Sequence, residues 1–350
     1  MKFNQEKSKK RLAKLIGFCY YCITMQNILF KSSKWVNMPD NKWQIDGKGN
    51  VKNPEWDYLF TNSSDLCFQN PAFKQAVDDF NDFVQKEYSN YWGSGSMRPL
   101  FRGQADKQWA PLPGVLREDF VQSVYASRSV CKIEQTGITH ELLALERHIH
   151  QLFRKEGYSL TNGETEGSKW YILAQHHGLQ TRLLDWTNSP LVALWMAVEH
   201  SADDKDGCIF AMNHKPKPNY ASAEKYWTSD KQEKLMCFLT KEIELGEEEQ
   251  EEMFNHEMIL YIHPNKFASR LVQQHSHFTL HTPAPLDSAL PCNIGVDDVY
   301  GTEKFIIKSE LKPIYRTYLL QMGIQRWTLW PDLDNLARGI KEANTVSRKS

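Results

Sequence analysis

From Phe73 to Tyr91 the apolar residues Phe73, Ala76, Val77, Phe80, Phe83 and Val84 recur at intervals of three and four. That spacing gathers them on one side of a helix, so the stretch is predicted as an amphipathic helix resting on a larger body. Trp92-Gly93-Ser94-Gly95-Ser96 breaks the period and reads as a linker. Pro99 to Gly103 is short, apolar and bounded by Pro and Gly, the mark of a buried strand, here carrying Arg102. A second helix is predicted from Glu141 to about Lys155, capped by Thr139, with Leu142, Leu143, Leu145, Ile149, Leu152 and Phe153 as its apolar side. Glu146, His148 and His150 fall between these positions. Only Glu146 and His150 have the separation that two ligands on one helical face need, so the three are read as a solvated polar face and no metal is expected there.

Further strands are predicted at Cys208 to Met212, Glu257 to His263 and Glu303 to Lys308, with Arg270 to Leu280 as a polar turn entering one more. A helix from Glu310 to Met322 stops at Gly323, and a last one spans about Leu333 to Ala343. Residues 215–255 are strongly charged, with an acidic run at Glu247 to Glu252, and read as a solvated insertion. Helices and strands alternate without a regular βαβ repeat, which predicts an α+β fold around a mostly antiparallel sheet. The organisation expected is a leader at 1–38, a partly helical extension at 39–94 and a main domain at 95–345.

The densest polar stretch is Gln175-His176-His177-Gly178-Leu179-Gln180-Thr181-Arg182-Leu183-Leu184-Asp185-Trp186-Thr187. A helix predicted from Lys169 to His177 stops at Gly178, a residue suited to the left-handed turn after a helix. Another begins with Asn188 or Ser189 as its cap and Pro190 in its first turn, running to about Glu199. The polar residues are therefore expected on a connection held at both ends, where a scaffold presents binding groups.

Composition narrows the function classes. A formal net charge of −1 removes the simplest argument for nucleic acid, since tracking phosphates takes a basic excess, although it leaves room for a local basic groove. The seven cysteines form no even framework; only Cys19 and Cys22 have redox or metal spacing, without the second pair a zinc ribbon needs. Reduced thiols and a cytoplasmic location are the expectation. Leu15 to Phe30 is apolar but contains Thr24, Gln26 and Asn27 and falls short of the ~20 residues of a membrane span. Asp203-Asp204-Lys205-Asp206-Gly207 imitates a calcium loop, yet Ala202 stands at the first ligand position and Asn213 at the twelfth. Rossmann, nucleophile-elbow and paired Cys-x-x-Cys motifs are missing from the sequence.

The Gln175 to Thr187 stretch, continuing into Pro190-Leu191-Val192-Ala193-Leu194, resembles the central motif of the FRG domain family, found in bacteria and associated with phage. Leu100-Phe101-Arg102-Gly103-Gln104 resembles the Phe-Arg-Gly tripeptide that names the family, and Trp330-Pro331-Asp332-Leu333-Asp334-Asn335-Leu336-Ala337 resembles its close. The family is distantly similar to ADP-ribosyltransferases. This resemblance implies a split sheet around a cleft, NAD as substrate, a protein or nucleic-acid acceptor, and a role as a toxin or anti-phage effector.

Under that resemblance Arg102, His176 and Gln274 are the catalytic candidates. Arg102, Gln175, His177, Thr181, Arg182, Asp185, Trp186 and Phe278 are the candidates for holding the nucleotide. Arg102 offers a planar fork of donors to a diphosphate or a pair of hydroxyls. His176 and His177 are neighbours at a helix end and point about a hundred degrees apart, so one of them, His176, is assigned to the cleft. Asp185 reads either as a catalytic carboxylate or as the partner of Arg182, and Trp186 as a stacking platform or a core residue. Where many transferases carry a glutamate on a late strand, the comparable stretch has Gln273 and Gln274. An amide carries no charge to stabilise a developing cation. Either another acid, such as Asp185 or Glu257, takes that role in an ADP-ribosyltransferase or NAD glycohydrolase, or the domain is a non-catalytic nucleotide-binding or sensing module. A nucleic-acid-directed protein is the third reading.

Overall fold

The computed structural model describes residues 44–45, 51–52, 71–94, 98–123, 138–161, 164, 166–199, 202–212, 229–255, 259–282 and 303–344. The leader at 1–38, with Cys19 and Cys22, and Glu257 lie outside them. The chain divides into two units, Met1–Tyr58 and Leu59–Ser350. The first contributes β1 (Gln44–Ile45) and β2 (Val51–Lys52), an antiparallel pair.

The second unit is α+β. In chain order it contains α1 (Pro71–Ser94), β3 (Leu100–Gln104), α2 (Ile138–Gly157), α3 (Gly167–His176), β4 (Leu183–Thr187), α4 (Pro190–Ala197), β5 (Gly207–Met212), α5 (Ser229–Leu239), α6 (Glu247–Asn255), β6 (Ile259–Ile262), α7 (Ser269–Gln273), β7 (Ser276–His281), β8 (Glu303–Ile307), α8 (Lys312–Gln321), α9 (Arg326–Leu329) and α10 (Leu333–Asn344). Its strands form one six-stranded sheet in the order β6-β7-β4-β3-β5-β8, and every neighbouring pair is antiparallel.

The ladders are uneven. β4 pairs with β7, β3 with β5, and β5 with β8 over five residues each. β3 and β4, at the centre, share the single pair Phe101–Thr187. Two well-knit halves thus meet at a seam one rung deep.

Partners in register point to the same side, so the core clusters can be assigned to sheet faces. On one face Leu183, Leu260, Ile262, Phe278 and Leu280 pack under Tyr171 and Ile172 of α3 and Leu235, Phe238 and Leu239 of α5. On the same face across the seam, Phe101, Ile209, Ala211 and Ile307 pack under Ala76 and Phe80 of α1, Ala193 and Leu194 of α4, and Tyr315 and Leu319 of α8. The opposite face carries Leu100, Leu184, Trp186, Cys208, Phe210 and Met212. Gly103 makes one of these contacts possible: a Cβ there would overlap the Ala193 carbonyl oxygen, so α4 lies on β3 backbone to backbone.

Four expectations are corrected. The second half of the polar motif is not a connection but β4, an inner strand, because Leu183, Leu184 and Trp186 are buried from both faces. α1 continues through Gly93 to Ser94, so the helix runs through part of the expected linker. The charged insertion supplies Leu235, Met236, Phe238, Leu239 and Leu245 to the core, a pattern hidden by the lysines and glutamates between them. Finally, Glu146 and His150 are 0% and 3% exposed, so this part of α2 faces inward.

The interior partner of α2 explains that last point. Glu146 accepts from Tyr171 Oη at 2.6 Å and from Arg182 Nε at 2.8 Å, and the Tyr171 hydroxyl accepts from the Arg182 amide at 2.8 Å. A buried carboxylate persists when it is paired and hydrogen-bonded in this way. His150 meets the Gln180 carbonyl at 3.1 Å, and burial lowers its pKa. Together these contacts clamp the segment from Gly178 to Arg182, whose entry is set by Gly178 at φ 85°.

Candidate functional site

Asp185 is the exposed exception in β4; the residues on either side of it are buried. An exposed carboxylate on an inner strand means that the cover is open there. By register its side chain rises on the helix-bearing face, between the α3/α5 group and the α4/α8 group and next to the one-rung seam.

A relay of donors holds this carboxylate. The Leu183 amide donates to Thr181 Oγ1 at 3.0 Å, the Thr181 hydroxyl to Gln175 Oε1 at 2.5 Å, and Gln175 Nε2 to Asp185 Oδ2 at 2.6 Å. Every link points towards Asp185, which fixes the orientation of the Gln175 amide and presents a set carboxylate rather than a mobile one. At the seam, Arg102 Nη1 donates to the Asp185 carbonyl oxygen at 2.8 Å, replacing a rung that the β3–β4 ladder lacks.

Beside this carboxylate a cavity of about 490 Å³ is lined by His176, His177, Arg270, Trp330, Asp332 and Asn335, among others. Its walls come from three distant parts of the chain: the end of α3, the start of α7 and the α9–α10 junction. Arg270 ties them together. It donates to the His176 carbonyl at 2.5 Å, its guanidinium lies 5.2 Å from the centre of the Trp330 ring, and Asp185 and Asp332 counter the lowering of its pKa by burial. Trp330 also meets Trp195 at 4.9 Å and the guanidinium of Arg326 at 5.7 Å, while Arg326 is held by Glu199 at 2.6 Å. Burial, then Arg270 and His177, lower the pKa of His176 to about 4, so its imidazole is neutral at pH 7.

The sequence-derived candidates fall into four places. Gln175, His176, His177 and Asp185 line or adjoin the cleft, and both histidines border the cavity with ring centres 5.1 Å apart. Arg102 stands at the seam and meets the backbone of Asp185. Thr181, Arg182, Trp186 and Phe278 are buried. Arg182 pairs with Glu146 and not with Asp185, and Trp186 donates to Thr279 Oγ1 at 3.0 Å on the opposite face. Gln274 accepts from Thr187 through its carbonyl and donates to the Leu329 carbonyl at 3.3 Å, joining α7 to α9. Arg270, Trp330 and Asp332 were not among the candidates. Each heads or sits in a stretch noted in the sequence, but their meeting depends on a fold that brings residues far apart in the chain together.

Among the described residues no group of three His, Cys, Asp or Glu side chains could hold a metal ion, and no helix is long and apolar enough to cross a membrane. What the cleft does assemble is a fixed carboxylate, a half-buried guanidinium, a neutral imidazole and a broad aromatic wall. No curated protein and no solved structure matches the chain. The part of the chain that builds β3, α2, α3, β4 and α4, residues 97–206, matches the family model of the FRG domain.

Proposed function

We propose that the cleft beside Asp185 binds NAD and that the chain is an ADP-ribosyltransferase-like enzyme. The observation that carries this reading is the exposed Asp185 carboxylate on an inner strand, oriented by Gln175. It supplies the acid that the glutamines of the 270–280 segment lack. In this reading Arg270 meets the pyrophosphate, Trp330 stacks on a base, and Asp185 accepts from a ribose hydroxyl and stabilises positive charge as the bond from ribose C1′ to the nicotinamide nitrogen breaks. Nicotinamide leaves with the bonding electron pair. A nucleophile, water or a group on an acceptor, then attacks C1′ and gives its proton to neutral His176 or to solvent. Arg102 sets the position of β4 at the seam. A role as a toxin or anti-phage effector rests on the family resemblance alone.

The test is nicotinamide release from NAD by the full chain, with calorimetric NAD binding alongside, compared with Asp185→Asn and Arg102→Ala. The expected result is release by the parent protein, a loss of at least a hundredfold in Asp185→Asn, consistent with removal of one charge-stabilising group, and NAD binding kept within a few fold. Binding without release would replace the enzyme by a sensing module. Neither binding nor release would remove NAD from the reading.

A further inference from the structure

On the sheet face opposite Asp185, at the end where β7 begins and β6 finishes, lies a second polar cluster. His277, in register with Trp186, is nearly buried. Its Nδ1 lies 2.7 Å from Tyr261 Oη and 3.3 Å from His263 Nδ1, and its Nε2 lies 3.2 Å from Asn188 Nδ2. The amide of Asn188 fixes Nε2 as an acceptor, so Nδ1 carries the proton and donates to Tyr261, whose own hydroxyl proton then points away from His277. Lys266 curls in beside them, donating to the carbonyls of Leu271 at 3.3 Å and Ser276 at 2.7 Å, which leaves one of its three donors. Burial, then Lys266, His263, Arg98 and His275, lower the pKa of His277, and burial, then Lys266 and Arg98, lower that of His275, so basic groups gather on this side.

Two ligand classes suit paired imidazoles. Nitrogens about 3.3 Å apart match two corners of a tetrahedral metal site. A cation, however, would sit against Lys266 and Arg98, and no third His, Cys, Asp or Glu among the described residues completes the set. An anion meets the opposite balance. Lys266 and Arg98 together match the charge of a dianion, while Tyr261 Oη, His263 and the remaining Lys266 donor supply hydrogen bonds. From this geometry we infer that Arg98, Tyr261, His263 and Lys266, gathered around His277 as the residue that positions them, form a binding site for a phosphate group carried as a phosphomonoester or free phosphate. The site is separate from the Asp185 cleft and lies across the sheet from it.

The experiment follows the imidazole ¹⁵N–¹H signals of the full chain at pH 7.5 and fixed ionic strength during titration with inorganic phosphate. It is repeated with adenosine 5′-monophosphate, with zinc alone, and on Arg98→Ala, His263→Ala and Asp185→Asn. Arg98 and His263 are exposed, so these variants test the site without opening the core. The expected result is saturable shifts of His263 and His277 with phosphate, with the midpoint raised at least fivefold in Arg98→Ala and unchanged in Asp185→Asn. Tighter binding of the monophosphate assigns the site to an ester, and equal binding assigns it to the free ion. Absence of saturation, shifts indifferent to Arg98→Ala, a midpoint moved by Asp185→Asn, or saturation by zinc alone would each overturn the inference.

Discussion

Glu146 and Arg182 meet at 2.8 Å with side chains 0% and 2% exposed, and they join α2 to the residue just before β4. The pair lies beneath the Thr181–Gln175–Asp185 relay, so it supports the site without touching the cleft.

Replacing Glu146 by Gln keeps the shape but leaves the Arg182 guanidinium buried beside a neutral partner. Breaking a buried ion pair from one side costs roughly 3–5 kcal/mol. Chemical denaturation of Glu146→Gln should show a loss of that order, whereas a loss below about 1 kcal/mol would mean that water or another group replaces the carboxylate.

Gly103→Ala should destabilise through the α4–β3 contact. The new methyl meets the Ala193 carbonyl, a rigid backbone group, so α4 must lift from the sheet. Overpacking of this kind costs about 1–3 kcal/mol, and the melting temperature should fall by several degrees. An unchanged melting temperature would show that the helix yields freely.

Acid should weaken the fold before its carboxylates titrate. The pKa of His176 is lowered to about 4 and those of His277 and His281 to about 3, in each case chiefly by burial. Their ordinary value is about 6.5, so between these limits the unfolded chain binds more protons than the folded one, and stability is lost as pH falls from about 6.5 towards 3. Denaturation midpoints measured from pH 7.5 to 5 should decline. His281→Gln should flatten that decline, since the residue lies furthest from solvent among the three; a slope identical to the parent would assign the loss elsewhere.

Much of this architecture could be read from periodicity. The apolar spacing of α1, the caps around Gly178 and Ser189 and the closing turn at Gly323 all express local chemistry, and the expected elements formed there. The inward face of α2 is hidden in the sequence for an equally physical reason. A sequence shows that Glu146 and His150 are polar, but not that Arg182 and Gln180 wait inside to receive them. The core contribution of the insertion is hidden in the same way, its apolar residues masked by charges on the other side of α5. At the cleft, the motif residues Gln175 and Asp185 were visible as candidates, but Arg270 and Trp330 became partners only through three-dimensional convergence. Arg182 and Trp186 lie in the same motif yet point into the core: the two-residue period of β4 turns Trp186 to the opposite face, and Arg182, just before the strand, is drawn inward by Glu146.

The one-rung seam gives the sheet a particular mechanics. A full ladder fixes neighbouring strands through short, stiff amide contacts, but between β3 and β4 a guanidinium on a long side chain fills the place of a missing rung. Such a link tolerates changes of length and angle that a ladder resists. The sheet is therefore stiff within each half and compliant along its midline, and Asp185 stands on that compliant line, where a small tilt of one half against the other changes the width of the space above it.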